Sequence, residues 1–96
     1  MSAKNIPSVE LLESVHPFPG SYQIRAIGSS DNDFAARVVA VVQEELAGPG
    51  ELDHSVRFTK AGRHVSVTLD ITVQSADQVR TIYARLHEVS GLHFLF

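Results

Sequence analysis

The chain has 96 residues, 44% of them hydrophobic and 20% charged, with a formal net charge of −3 and no cysteine. That supports one small core, with roughly 60–65% of the unfolded chain's surface buried on folding, and leaves no room for a second. Lack of cysteine excludes disulfides, thiolate metal sites, iron–sulfur clusters and cysteine nucleophiles, and the acidic balance disfavours non-specific binding to nucleic acid or anionic membrane.

No apolar run approaches the ~18 residues of a membrane span, and no basic region leads into an apolar stretch at the N-terminus, so a cytoplasmic location is expected. Residues 1–16 read as a polar lead-in, either a short helix or a mobile tail, ahead of one domain over 17–96. In "PSVELLESV", Val9, Leu11, Leu12 and Val15 supply a helical turn that packs onto the body. His16-Pro17-Phe18-Pro19-Gly20 stops any helix, because each proline lacks an amide donor and restricts the residue before it.

"SYQIRAIG" alternates as a half-buried strand, with Tyr22, Ile24 and Ala26 on one side and Ser21, Gln23 and Arg25 on the other. Gly28-Ser29-Ser30-Asp31 ends it. A helix is predicted over "DNDFAARVVAVVQEEL", with Phe34, Val38, Val41, Val42 and Leu46 on its apolar stripe. Ser30 or Asp31 is the expected cap, and Gly48-Pro49-Gly50 the stop.

"HSVRFTKAGRHVSVTLDITV" predicts a hairpin. With Ala61-Gly62 as a two-residue loop, Lys60 faces Arg63, Phe58 faces Val65, Val56 faces Val67 and His54 faces Leu69, so every apolar partner shares a face. Ser75-Ala76-Asp77-Gln78 is a capping box opening a second helix, striped by Val79, Ile82, Tyr83, Leu86 and Val89. Ser90-Gly91 ends it, and "LHFLF" is a final strand whose Leu92, Phe94 and Phe96 are expected to turn into the core. The alternative for this short uncharged strand is an exposed edge that invites another strand.

The order strand–helix–strand–strand–helix–strand predicts an α+β fold. It is the ferredoxin-like βαββαβ two-layer sandwich, a four-stranded antiparallel sheet of order 4-1-3-2 with two helices on one face. The uncovered face is then polar, with Ser21, Gln23, Arg25, Ser55, Arg57, Thr59, His64, Ser66, Thr68, Asp70 and Thr72. Its central strands carry no ring but a histidine, which argues against RNA recognition. A metal-chaperone reading fails for want of cysteines, and an acylphosphatase-like phosphate loop is opposed by Asp31 and Asp33 in "AIGSSDNDF".

His16, His54, His64, His87 and His93 lack the i, i+4 spacing of a helical metal pair, and no metal or cofactor is expected. His64 reads as a polar strand residue, since no carboxylate is paired to it by sequence. Asp70 is expected to bridge Arg25 or Arg57. The hairpin tip, with Lys60 and Arg63 beside Arg57 and His64, is either a solvated turn or an anion site.

In order, "GSYQIRAIG", "PGELDHSVRFTKAGRHVSVTLDITV" and "SADQVRTIYARL" resemble the YbeD-like family of small bacterial proteins over residues 16–96. The shared features are Gly28, Pro49-Gly50, Lys60 and Gly62, Val65-Ser66-Val67, and Gln78-Val79 with Tyr83 and Leu86. Ala61 is an extra residue in the turn, and the lead-in is longer than the family pattern. The resemblance implies a ferredoxin-like fold similar to ACT-type regulatory domains, which bind amino acids between paired domains. The acid-Arg-Pro-Gly turn usual in those domains is reduced here to the glycine and an acid of "GSSDNDF". Gene neighbourhoods in the family imply a link to lipoyl metabolism.

Together these readings predict a non-enzymatic cytoplasmic regulatory or interaction module, a monomer or weak homodimer, that binds a small anionic metabolite or a partner protein. Its expected ligand surface is Gly28, Ser29, Ser30 and Asp31 at a helix N-terminus, then Arg57, Lys60, Arg63 and His64 at the tip. Neither nucleic acid nor membrane is an expected partner. The alternative is a small hydrolase or transferase for phosphorylated or acylated metabolites using Arg25, Arg57 and His64.

Overall fold

Strict alternation makes β1 (Gly20–Ser29) the spine of the sheet. Ile24 and Ala26 are fully buried on one side, while Gln23 and Arg25 are exposed on the other. It pairs antiparallel along its whole length with β3 (His64–Val73), from Gly20↔Val73 to Ser29↔His64. β2 (Asp53–Phe58) and β4 (Leu92–Leu95) close the order β2-β3-β1-β4, the 4-1-3-2 arrangement expected from sequence. This computed structural model describes residues 6–46 and 52–96, so the expected Gly48-Pro49-Gly50 stop lies outside the described residues.

Helices α2 (Phe34–Leu46) and α3 (Ala76–His87) cover one sheet face. Phe34, Val38 and Val42 meet Val79, Ile82, Tyr83 and Leu86 above Val65, Val67, Leu69, Ile71 and Val73. Ser75 accepts from the Gln78 amide at 3.2 Å. Gln78 Oε1 takes the amide of Gln74 rather than that of the cap residue, at 2.7 Å. The two tyrosines share a partly buried bond, Tyr22 and Tyr83 hydroxyls 3.1 Å apart with rings edge to face.

A third helix, α1 (Val9–Val15), packs against α3. Ser8 caps it by accepting from the Leu11 amide at 3.1 Å. Leu12 is only 2% exposed, whereas Leu11 and Val15 face outward. Arg80 fastens the segment ahead of the helix by donating to the Pro7 carbonyl at 2.9 Å.

Three local expectations need correction. Helix α2 starts at Phe34 rather than Asp31, because Asn32 and Asp33 take left-handed conformations (φ 57° and 54°). The expected caps are occupied elsewhere: the Ser30 hydroxyl donates to the Gly62 carbonyl, and Asp31 accepts from Ser29.

The hairpin keeps the expected register (His54↔Leu69, Val56↔Val67, Phe58↔Val65) but not its two-residue loop. The Gly62 amide, at φ 73°, bonds the Thr59 carbonyl at 2.9 Å, so the His64 amide turns to the Thr59 hydroxyl at 3.2 Å. The loop therefore spans residues 60–63.

The third correction concerns β4. The register slips between Ile27 and Gly28, from Ile27↔Phe94 to Gly28↔Leu92, leaving His93 as a bulge. Past a bulge, alternation changes phase. Leu92 and Leu95 face the helices, while Phe94 and Phe96 lie on the open face, 61% and 62% exposed.

Candidate functional site

Register brings the two predicted site segments together at one corner of the sheet. Ser29 stands opposite His64, and the Ser30 amide donates to the Arg63 carbonyl at 3.0 Å. The β1–α2 loop and the β2–β3 tip are thus one structure. Lys60 lies in the turn at its end, and Arg57 sits two strands away from β1, opposite Ser66 on the open face.

Within this corner many loop groups are already partnered. The Ser29 amide bonds the Gly91 carbonyl at 3.0 Å, and the Asp31 amide bonds the Ser29 hydroxyl at 3.3 Å. Arg37 braces the loop from α2, donating to the carbonyls of Asn32 (2.8 Å) and Ser90 (2.9 Å). Gly28 is a packing position. A Cβ built there would stand 2.5 Å from Phe34 Cζ and 2.6 Å from the Gly91 oxygen.

The corner also contains residues that sequence reasoning assigned to the core. Phe94 pairs with Ile27, and Phe96 exchanges backbone bonds of 2.8 and 3.0 Å with Arg25. Their rings stack with centroids 6.4 Å apart at 17°. The bulged His93 meets His64 edge on, ring centroids 5.3 Å apart. The result is an exposed apolar patch bordered by two imidazoles and the Arg25 guanidinium. Sequence reasoning missed it because Phe94-Leu95-Phe96 is an unbroken apolar run that fits either phase, and pairing with β1 chooses between them.

Chemically, the corner can bind more readily than it can react. The ring partner of His64 is another histidine, not a carboxylate that would orient it as a base. Asp70 takes its bond from Gln23 at 3.0 Å, in place of the expected arginine bridge. Among the described residues, no group of three His, Cys, Asp or Glu side chains could hold a metal ion, and no helix is long and apolar enough to cross a membrane. Central-strand positions on the open face carry Gln23, Arg25, Ile27, His64, Ser66 and Thr68, a histidine being the one ring in this set; the two phenylalanines stand on the edge strand, away from the usual base-stacking positions.

Comparison with known proteins places these features in context. Residues 13–96 match the family described as "Protein of unknown function (DUF493)". A UPF0250 protein of Shewanella woodyi is 36% identical over 83 residues, 86% of this chain and 88% of that one. Another from Shewanella amazonensis is 35% identical over 75 residues, 78% and 83% of the two chains. Among solved structures, protein HP0495 of H. pylori superposes with a TM-score of 0.63 at 15% identity, over 88% of this chain and 92% of that one. The ACT domain from GTP pyrophosphokinase of Chlorobium tepidum gives 0.60 at 17% identity, over 79% and 94%. At those identities the likeness is one of fold, and it bears out the ferredoxin-like, ACT-like architecture.

Proposed function

The chain belongs to the DUF493 (UPF0250, YbeD-like) family, and from that premise we propose that it is a non-enzymatic regulatory module of the bacterial cytoplasm that acts by contact. Its recognition surface is the open-face corner of Ile27, Phe94 and Phe96 with Arg25, His64 and His93. The partner is a protein segment presenting apolar and acidic side chains.

The observation that carries this reading is the exposed, stacked Phe94–Phe96 pair beside Arg25. Burying a phenylalanine is worth about 1.5–3 kcal/mol, and aromatic and arginine side chains dominate the energetics of protein interfaces. The imidazoles and guanidinium select acidic neighbours for those apolar contacts. The loop of Ser29, Ser30 and Asp31 supports the hairpin tip, consistent with its many internal hydrogen bonds.

The test is amide NMR of labelled protein titrated with amino acids, lipoyl compounds, nucleotides and finally cell extract, followed by cross-linking from the extract. The expected outcome is broadening at Ile27 and Leu92–Phe96 with extract alone, and a cross-linked protein that Phe94→Ser and Arg25→Ala both lose. Saturable shifts at Gly28–Asp31 and Arg57–His64 with one small-molecule pool would overturn it in favour of a small anionic ligand at the same corner. Turnover of a phosphorylated or acylated compound, abolished by His64→Ala with the fold intact, would replace it with the hydrolase or transferase reading.

A further inference from the structure

The second sheet edge carries an independent signal. All residues of β2 are exposed, including Val56 at 40% and Phe58 at 60%. Free edges are normally blunted by charged side chains, lysine above all, by proline or by a bulge. Asp53–Phe58 has no lysine, proline or bulge, and its two charges, Asp53 and Arg57, are of opposite sign and so can pair across a two-fold axis. Beside it, the flank of α2 offers only small or uncharged side chains (Ala35, Ala36, Val39, Ala40 and Gln43), lining a hollow with His54.

Hydrogen-bond parity settles which backbone groups of β2 are free. The Thr59 amide donates to the His64 carbonyl at 3.0 Å. At two-residue steps from there, Arg57, Ser55 and Asp53 turn their backbone groups to β3, and those of His54, Val56 and Phe58 point out of the sheet. A second β2 can add antiparallel only if outward residues meet outward residues, so the two-fold axis must pass through a residue, not between two.

With the axis through Ser55, Asp53 of each copy stands opposite Arg57 of the other on the open face. On the helix face Val56 meets His54 and Phe58 meets Leu52. Every one of these pairs occurs twice. An axis through Arg57 would set two guanidiniums face to face. One through Val56 would put Asp53 opposite Thr59, and one through His54 would carry Phe58 three residues beyond Asp53, where the Ser55 register takes it only one residue beyond, to Leu52. Only the Ser55 register matches charge within the strand and pairs both exposed apolar side chains.

We propose that β2 is a self-complementary edge, and that two copies of this chain join through it in the Ser55 register to form one continuous sheet with the α2 flanks side by side. The inference does not use the aromatic corner, which lies toward the opposite edge, so either can fail without the other. The strand is short, and the expected dissociation constant is on the order of 1–100 µM.

Sedimentation velocity of the full chain across that concentration range tests the proposal. Wild type is expected to pass from monomer to dimer. Val56→Pro is expected to stay monomeric and folded, because the lost amide points away from β3. Asp53→Arg and Arg57→Asp each replace two attractive contacts by two repulsive ones and should weaken dimerisation on the order of tenfold. Combining them should restore it, even if the proline variant fails to fold. A chain monomeric to about 1 mM, a dimer indifferent to these charge reversals, or a double variant no better than the singles would each overturn it.

Discussion

Gly28→Ala tests the packing that holds the corner together. The added methyl would sit 2.5 and 2.7 Å from Phe34 Cζ and Cε1 and 2.6 Å from the Gly91 oxygen. Ordinary contact lies near 3.5 Å or beyond, so each neighbour must give by about 1 Å. Phe34 is 1% exposed and has no space to retreat into, and overpacking of this kind costs about 1–3 kcal/mol. The Gly91 carbonyl can move only by stretching its bond from the Ser29 amide, worth a further ~0.5–1.5 kcal/mol. The expected loss is therefore about 2–4 kcal/mol, a large share of the ~5–14 kcal/mol typical of a chain this size. In urea unfolding followed by circular dichroism, the midpoint should fall by about 1–3 M with an unchanged slope. Phe34→Leu in the same background removes the two clashing ring atoms, so the double variant should be more stable than the sum of the singles predicts. A change below about 0.5 kcal/mol, or strict additivity, would refute the close-approach argument.

Other consequences are open to measurement. Leu12→Ala should cost about 2–5 kcal/mol in the same assay, because Leu12 anchors α1 at 2% exposure; a near-neutral result would mean that the lead-in helix is not docked. Phe94→Ser should leave stability within about 0.5 kcal/mol of wild type, whereas Leu95→Ser should be clearly destabilising; equal losses would contradict the bulge-shifted phase. Burial, then the hydrogen bond it shares with Tyr22, raises the Tyr83 phenol above its ordinary 10.0. A group raised in the folded state contributes stability that is intact below its unfolded value and lost as pH climbs through the folded one. Unfolding free energy should therefore decline above pH 10, and Tyr83→Phe should flatten that decline.

Legibility in the sequence followed the range of the interactions involved. Strand β1, the stripes of α2 and α3, and the β2–β3 register were readable because apolar spacing and burial of one face specify them locally. The Ser75 cap was readable for the same reason. The start of α2 was not, because Ser30 and Asp31 find partners in the hairpin tip and in Ser29, contacts set by the juxtaposition of loop and hairpin. Asp70 likewise chose Gln23, its direct cross-strand partner, over the nearby arginines.

By itself, then, the sequence determined the elements, the two-layer sandwich and the polar character of the open face along β2 and β3, because those follow from side-chain periodicity. Tertiary structure alone decided where the function-bearing surface lies. It joined the Ser29–Asp31 loop to the Arg63–His64 tip through strand register. Through the bulge at His93 it also turned Phe94 and Phe96 from expected core residues into an exposed aromatic pair. That inversion comes from the hydrogen-bond phase between β4 and β1. Phase is a property of two paired strands, and neither strand's residues encode it alone.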